Sequence, residues 1–132
     1  MHVIIGGAHN GKRDFVKRLL EDVQYQWVNF SADDLEITSG NKVVIDRIEH
    51  WLAQTELPEA DAVEFILKMV EGKDVIFILT DIGRGIVPMD AEQRKLRDAC
   101  GRLYQRLIAE ADEVTRIWYG LAQTLKKRGE IK

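Results

Sequence analysis

A glycine-rich segment near the start of the chain has the pattern of a phosphate-binding loop. Residues 6–13 fit G-x-x-x-x-G-K between an apolar run and a segment of helical spacing. In such a loop, glycines let successive backbone N–H groups point inward, and the N-terminus of the following helix adds a positive field. We therefore predict a nucleotide site in which Lys12 reaches the terminal phosphates as a catalytic residue. Its predicted residues are Gly6, Gly7, Ala8, His9, Asn10, Gly11, Lys12 and Arg13.

Arg13 departs from that pattern, which has serine or threonine at this position. The missing hydroxyl is normally a ligand of Mg²⁺, and a guanidinium has no acceptor with which to replace it. A cation in the first turn also opposes the helix dipole, by roughly 0.3–1 kcal/mol when exposed. A bound anion would remove this conflict, so we expect Arg13 to contact phosphate in place of the metal. The alternative is a glycine turn that only connects a strand to a helix.

Two carboxylates follow strand-like segments and are candidate catalytic residues. Asp46 closes the apolar run Val43-Val44-Ile45, and Asp81 follows the apolar run 74–80. Carboxylates at such strand ends hold Mg²⁺ beside the phosphates of ATP or GTP, so both are predicted metal ligands, although Arg13 removes one usual ligand of that ion. The alternative is that each carboxylate only caps the turn or helix that follows it.

Glycines and arginines later in the chain are candidates for binding a second substrate. Gly83 and Gly85 suit close approach of the backbone to a ligand, and Arg94 and Arg97 are spaced to share one helix face. The pair Arg102 and Arg106 also shares a face. These arginine pairs either bind phosphate or form ion pairs, for which the candidate partners are Asp98 and Glu110.

Strand-like and helix-like segments alternate along the chain and would position these residues. The predicted strands cover 2–5, 25–30, 43–45, 74–80 and 113–119. The predicted helices cover 14–22, 47–54, 61–70 and the stretch from Asp90 to about Ala111. Residues 120–132 are predicted to form a basic tail. This alternation predicts an α/β fold with a mostly parallel sheet flanked by helices. Ligands of such sheets bind beyond the carboxyl ends of the strands, where the candidate loops lie.

The composition is that of an ordinary globular domain, and we expect one domain over residues 1–132. Hydrophobic residues make up 45% and charged residues 31%, which excludes a disordered or fibrous chain. The single cysteine, Cys100, allows no internal disulfide. The sequence also lacks an apolar run of the ~20 residues that a membrane span needs, and it shows no signal peptide. These observations predict a cytoplasmic protein with no membrane partner.

Charge is distributed unevenly between the two parts of the chain. Residues 1–83 carry 8 basic and 15 acidic side chains, whereas residues 84–132 carry 11 basic and 7 acidic ones. The basic part suits an anion such as a nucleotide or a phosphorylated substrate, or it is a solvated helix face of mixed charge. The net charge of −3 and the lack of a basic stripe interleaved with aromatic residues argue against a nucleic-acid partner.

Three motifs together resemble the adenosylcobinamide kinase/adenosylcobinamide-phosphate guanylyltransferase family. They are the loop at 6–12, the segment Gly83-Arg84-Gly85-Ile86-Val87-Pro88, and the arginine-rich pattern over 97–107. The resemblance is dense over residues 79–121 and clear over 1–13. It implies a RecA-like P-loop fold, a homo-oligomer, and a role in cobalamin biosynthesis. The implied reactions are phosphorylation of the hydroxyl of adenosylcobinamide by a nucleoside triphosphate, followed by transfer of GMP from GTP.

The chain departs from this family where guanylyl transfer would occur. The family carries a histidine after the second strand that takes GMP covalently, and residues 32–45 contain none. His9 also stands where the family has arginine. We therefore expect guanylyl transfer to be lost, and the leading interpretation is a kinase that transfers phosphate from ATP or GTP to cobinamide. The alternative is a non-catalytic relative that binds a nucleotide or acts as a regulatory or scaffold subunit.

Overall fold

The computed structural model describes residues 1–7, 11–30, 42–81 and 90–127. Within these ranges the chain forms six strands and four helices, and helices and strands alternate over most of its length. In chain order they are β1 (His2–Gly6), α1 (Lys12–Leu19), β2 (Tyr25–Asn29), β3 (Lys42–Asp46), α2 (Ile48–Gln54), α3 (Glu59–Val70), β4 (Val75–Thr80), α4 (Ala91–Glu110), β5 (Glu113–Trp118) and β6 (Leu121–Lys127).

The strands form one sheet in the order β2-β3-β4-β1-β5-β6. All neighbouring pairs are parallel except β5 and β6, which run antiparallel. At the end of β1, Gly6 lies opposite Thr80 of β4 on one side and Ile117 of β5 on the other. The carboxyl ends of β1, β3 and β4 therefore meet at the same edge of the sheet. The predicted α/β class with a mostly parallel sheet is confirmed.

Helices cover both faces of the sheet, which explains why its central strands are apolar throughout. Ile76 and Ile78 of β4 pack on one face with Val16 of α1. The alternate residues Phe77 and Leu79 pack on the other face against α2, α3 and α4. A strand buried on both faces has no polar side to show, so β4 appears in the sequence as a continuous apolar run.

Beyond β5 the prediction of a basic tail is wrong for residues 121–127, which form the edge strand β6. Tyr119 and Gly120 make the connecting turn, with φ of 50° and 75°, and positive φ at both positions is typical of a tight hairpin turn. Most of β6 is exposed, so it has no alternation of apolar and polar residues by which a strand could be recognised. Lys126 fixes it to the body of the protein by donating to the carbonyls of Ile108 and Ala109 at the end of α4.

The long helix α4 begins where the sequence predicts. Asp90 accepts a hydrogen bond from the backbone N–H of Gln93 at 2.8 Å, and the Gln93 side chain accepts one from the backbone N–H of Asp90 at 3.1 Å. This reciprocal pair is a capping box, which satisfies two N–H groups at the start of the helix. None of the helices in the four described ranges is long and apolar enough to cross a membrane.

The arginines in the middle of α4 bind a neighbouring helix. Arg102 donates to both carboxylate oxygens of Glu59 at 2.6 Å, and Arg106 donates to Glu64 at 3.4 Å. Both acids lie on α3, whereas the sequence analysis offered acids on α4 itself as partners. This pair of arginines therefore links α4 to α3 at the protein surface, above the apolar core that the two helices share.

Candidate nucleotide site

The loop between β1 and α1 requires glycine at two of its described positions. A Cβ atom at Gly6 would lie 2.5 Å from the backbone oxygen of Ile117, so a side chain there would force β1 and β5 apart. Gly11 is the N-cap of α1 and has a φ of 82°, in the left-handed region that glycine adopts without strain. Ala8, His9 and Asn10 lie outside the described residues.

Lys12 is buried in the first turn of α1, with only 3% of its surface exposed. Its Nζ donates a hydrogen bond to the carbonyl of Gly7, inside the predicted loop. Burial lowers the pKa of Lys12 below the ordinary lysine value, and the neighbouring Arg13 lowers it further, while Asp46 and Glu49 oppose the shift. A buried ammonium needs a compensating anion or acceptors, and a phosphate at this loop would supply both.

Arg13 forms a two-point ion pair with Asp46 at the end of β3. The Nε of Arg13 donates to Oδ2 at 2.6 Å, and Nη2 donates to Oδ1 at 3.2 Å. Asp46 is 1% exposed, whereas the side chain of Arg13 is 43% exposed. The hydrogen bond that Arg13 donates to Asp46 raises the pKa of Arg13, so the guanidinium stays charged. Two parallel charge-assisted bonds of this kind fix both the distance and the orientation of the pair.

The residues directly after Asp46 complete the polar environment of this pair. The backbone N–H of Arg47 donates to Oδ1 of Asp46 at 2.8 Å, from a left-handed conformation with a φ of 64°. A positive φ is uncommon for a residue other than glycine and is found often at functional sites.

Glu49, in the first turn of α2, is an acid that the sequence analysis did not single out. Its side chain is 11% exposed, and its Oε2 has no hydrogen-bond partner within the described part of the chain. Its charge raises the pKa values of both Lys12 and Arg13, which places it near the two cations. The signal that could have revealed it is the spacing Asp46-x-x-Glu49 across a junction of strand and helix.

Asp81 lies at the same edge of the sheet, directly after β4, which lies between β1 and β3. Its backbone N–H donates to the carbonyl of Gly6 at 2.9 Å, and its side chain is exposed. It lines a pocket of about 280 Å³ together with Gly7 and Arg116.

Asp46 lines a different pocket, of about 300 Å³, with Arg13, Lys17, Tyr25 and Trp27 among its other residues. The sheet therefore brings Lys12, Arg13 and Asp46 together and leaves Asp81 in a separate depression.

The ligands that Mg²⁺ would need are not assembled here. Both oxygens of Asp46 accept hydrogen bonds from Arg13, and Arg13 itself stands at the position of the usual hydroxyl ligand. Within residues 1–7, 11–30, 42–81 and 90–127, no three His, Cys, Asp or Glu side chains come close enough together to hold a metal ion. The missing hydroxyl at position 13 and the pairing of Asp46 with Arg13 therefore argue against a magnesium site at Asp46.

The predicted second-substrate residues are only partly described. Arg94 is exposed in the first turn of α4, and Arg97 contacts Asp98 at 3.3 Å. Gly83 and Gly85 lie outside the described residues. The role of these four positions in binding a substrate stays a prediction.

A solved structure from Pyrococcus horikoshii OT3, reported as a structural study of PH0250, is similar to this fold. The TM-score is 0.58 over 96% of this chain and 86% of that one, at 5% sequence identity. At such low identity the similarity concerns the fold alone. It agrees with the arrangement of a mostly parallel sheet between helices.

The sequence comparisons confirm the family resemblance. The bifunctional adenosylcobalamin biosynthesis protein CobU of Salmonella typhimurium is 40% identical over 52 residues. That segment spans 39% of this chain and 29% of the Salmonella protein. The model of the family described as cobinamide kinase / cobinamide phosphate guanyltransferase matches residues 25–125 and leaves the loop at 6–13 outside the match. Because most of its length fits that model, the chain belongs to the CobU family and has a P-loop NTPase-like fold.

Proposed function

We propose that this chain binds the phosphates of ATP or GTP at residues 6–13. The observation that carries this proposal is the buried ammonium of Lys12, which donates to the loop carbonyl of Gly7 at the start of α1. When a phosphate enters, Lys12 exchanges that carbonyl for a phosphate oxygen. The first N–H groups of α1 and the exposed part of Arg13 supply further donors, as helix N-termini do for anions.

Nucleotide binding without catalysis is the form of this function that the geometry supports best. Phosphoryl transfer in P-loop enzymes depends on a divalent cation that bridges the phosphates and neutralises the developing charge. The carboxylate that would help to hold that cation, Asp46, is already paired with Arg13. We infer a nucleotide-binding member of the family whose second ligand is cobinamide or a partner protein.

A kinase acting on the cobinamide hydroxyl is the second candidate, and membership of the family favours it. The new bond would join the hydroxyl oxygen to the γ-phosphorus, and the bond from that phosphorus to the β,γ-bridging oxygen would break. Lys12 would stabilise charge on the phosphates, and Asp81 would take the proton of the hydroxyl. Arg94, Arg97, Gly83 and Gly85 would hold the substrate. Guanylyl transfer is not proposed, because residues 32–45 lack a histidine.

Isothermal titration calorimetry with ATP and with GTP tests the binding proposal. We expect Lys12→Met to weaken binding at least about tenfold, which corresponds to about 1.4 kcal/mol. The matched control is Lys68→Met, which removes an exposed lysine of α3 and should bind as the wild type does. Failure of the wild type to bind either nucleotide would refute the proposal.

An assay of phosphate transfer separates the two candidates. The wild type is incubated with adenosylcobinamide, Mg²⁺ and ATP or GTP labelled at the γ-phosphate, and labelled cobinamide phosphate is sought. Binding without product supports the non-catalytic form. Product that disappears in Lys12→Met supports the kinase.

A further inference from the structure

We propose that Arg13 takes the place of the divalent cation at this site, so that the loop binds nucleotide phosphates in their metal-free form. This inference rests on the proposed function and specifies which form of the ligand binds. The guanidinium, one residue after Lys12 in the first turn of α1, would neutralise phosphate charge as a permanent part of the chain.

The first support is that Arg13 already makes the contacts of a metal held by Asp46. Asp46, at the end of β3, would help to hold a metal ion that neutralises phosphate charge. The guanidinium of Arg13 engages both oxygens of that carboxylate, with its Nε 2.6 Å from Oδ2 and its Nη2 3.2 Å from Oδ1. Asp46 is 1% exposed and also accepts from the backbone N–H of Arg47. The carboxylate is thus neutralised and hydrogen-bonded without any ion.

The second support is that Arg13 keeps donors for a phosphate while it holds Asp46. A guanidinium has further N–H groups beyond those that the carboxylate engages, arranged in a planar fork that matches phosphate oxygens. The side chain of Arg13 is 43% exposed, so part of it is accessible from solvent. Asp46 then orients the guanidinium, and the exposed part can donate to the ligand.

The third support is electrostatic. A divalent cation beside Asp46 would face the guanidinium of Arg13 and would lie near the ammonium of Lys12, and like charges at short range repel strongly where water is partly excluded. Asp46 and Glu49 add two negative charges to this site. The pairing of Asp46 with Arg13 neutralises that carboxylate, so a metal ion would gain less from it than from an unpaired one.

The experiment compares binding of ATP, and separately of GTP, in EDTA and in millimolar Mg²⁺ by isothermal titration calorimetry. For the wild type we expect binding in EDTA to be at least as tight as binding in Mg²⁺. The two Kd values should agree within about threefold, or the Kd in EDTA should be lower. Arg13→Ser restores the hydroxyl and frees Asp46, so this variant should bind at least about tenfold more tightly in Mg²⁺ than in EDTA. Arg18→Ser removes an exposed arginine from the same helix and should behave as the wild type.

The outcomes distinguish this inference from the proposed function. Wild-type binding that weakens by more than about threefold in EDTA overturns the role of Arg13 and leaves nucleotide binding standing. Failure to bind either nucleotide in both buffers refutes nucleotide binding itself. If Arg13→Ser does not fold, the comparison of buffers on the wild type still decides, and Arg13→Lys supplies a second variant that keeps the charge but loses the two-point contact.

Discussion

The ion pair between Arg13 and Asp46 should stabilise the folded protein measurably, and a double-mutant cycle can isolate its contribution. The cycle compares the wild type with Asp46→Asn, Arg13→Met and the double variant. Asp46 accepts three hydrogen bonds, two from Arg13 and one from the backbone of Arg47. Asparagine keeps one acceptor oxygen but directs an N–H₂ group towards the guanidinium, so the pair is lost.

The magnitude follows from the unequal burial of the two partners. Hydrogen bonds to charged groups contribute about 1.5–3 kcal/mol, and breaking a fully buried pair costs about 3–5 kcal/mol. Here Asp46 is 1% exposed but Arg13 is 43% exposed, so water compensates part of the loss. We therefore expect a coupling energy of about 2 kcal/mol, in the lower of those two ranges.

Equilibrium unfolding in urea, monitored by circular dichroism, gives the free energy of unfolding of each variant. The control is the same cycle on Arg102 and Glu59, a surface pair that also makes two hydrogen bonds, both of 2.6 Å. We expect its coupling to be clearly smaller, because water solvates both of its charges. A coupling below about 0.5 kcal/mol for Arg13 and Asp46 would refute the view that this pair fixes the site.

Three further predictions concern packing and buried groups. Gly6→Ala should lower the free energy of unfolding by about 2 kcal/mol or more, because its Cβ would lie 2.5 Å from the backbone oxygen of Ile117. Gly101→Ala in α4, where a Cβ has open space, should raise the free energy of unfolding by about 0.5–1 kcal/mol. Urea unfolding measures both changes. Burial lowers the pKa of His2 below 6.5, so the unfolded state binds the proton more readily and stability should fall as pH falls below that value. His2→Asn should flatten this dependence in urea unfolding measured across that pH range. Burial raises the pKa of Cys100 to about 12, so a thiol reagent should modify this cysteine only after the protein is unfolded in urea. Fast labelling of the native protein at neutral pH would contradict this prediction.

Much of the fold could be predicted from the sequence because its signals are local. The continuous apolar run of β4 indicates a strand that is buried on both faces. The start of α4 can be predicted because its capping box joins Asp90 and Gln93, which are three residues apart in the chain. The strand β6 was missed for the same reason, since an exposed edge strand carries no pattern of burial. Its place is set by pairing with β5 and by the contact of Lys126 with α4.

The candidate site shows the limit more sharply. The loop glycines, Lys12 and the acids at strand ends could be selected because residue type and position in the chain already suggest phosphate chemistry. No local pattern predicts that Arg13 would pair with Asp46, which lies 33 positions later. That contact depends on the order of the strands, which sets how far the end of β3 lies from the start of α1.

The position of β4 gives this pair a structural consequence. β1 and β3 are not neighbours, because β4 lies between them, so no backbone hydrogen bond of the sheet joins one directly to the other. Arg13 and Asp46 cross that interval with side chains alone and tie the first turn of α1 to the outer half of the sheet. An anion bound by the guanidinium of Arg13 would therefore lie at a fixed distance from Tyr25 and Trp27. These two residues belong to the edge strand β2, and their ring centroids are 6.4 Å apart.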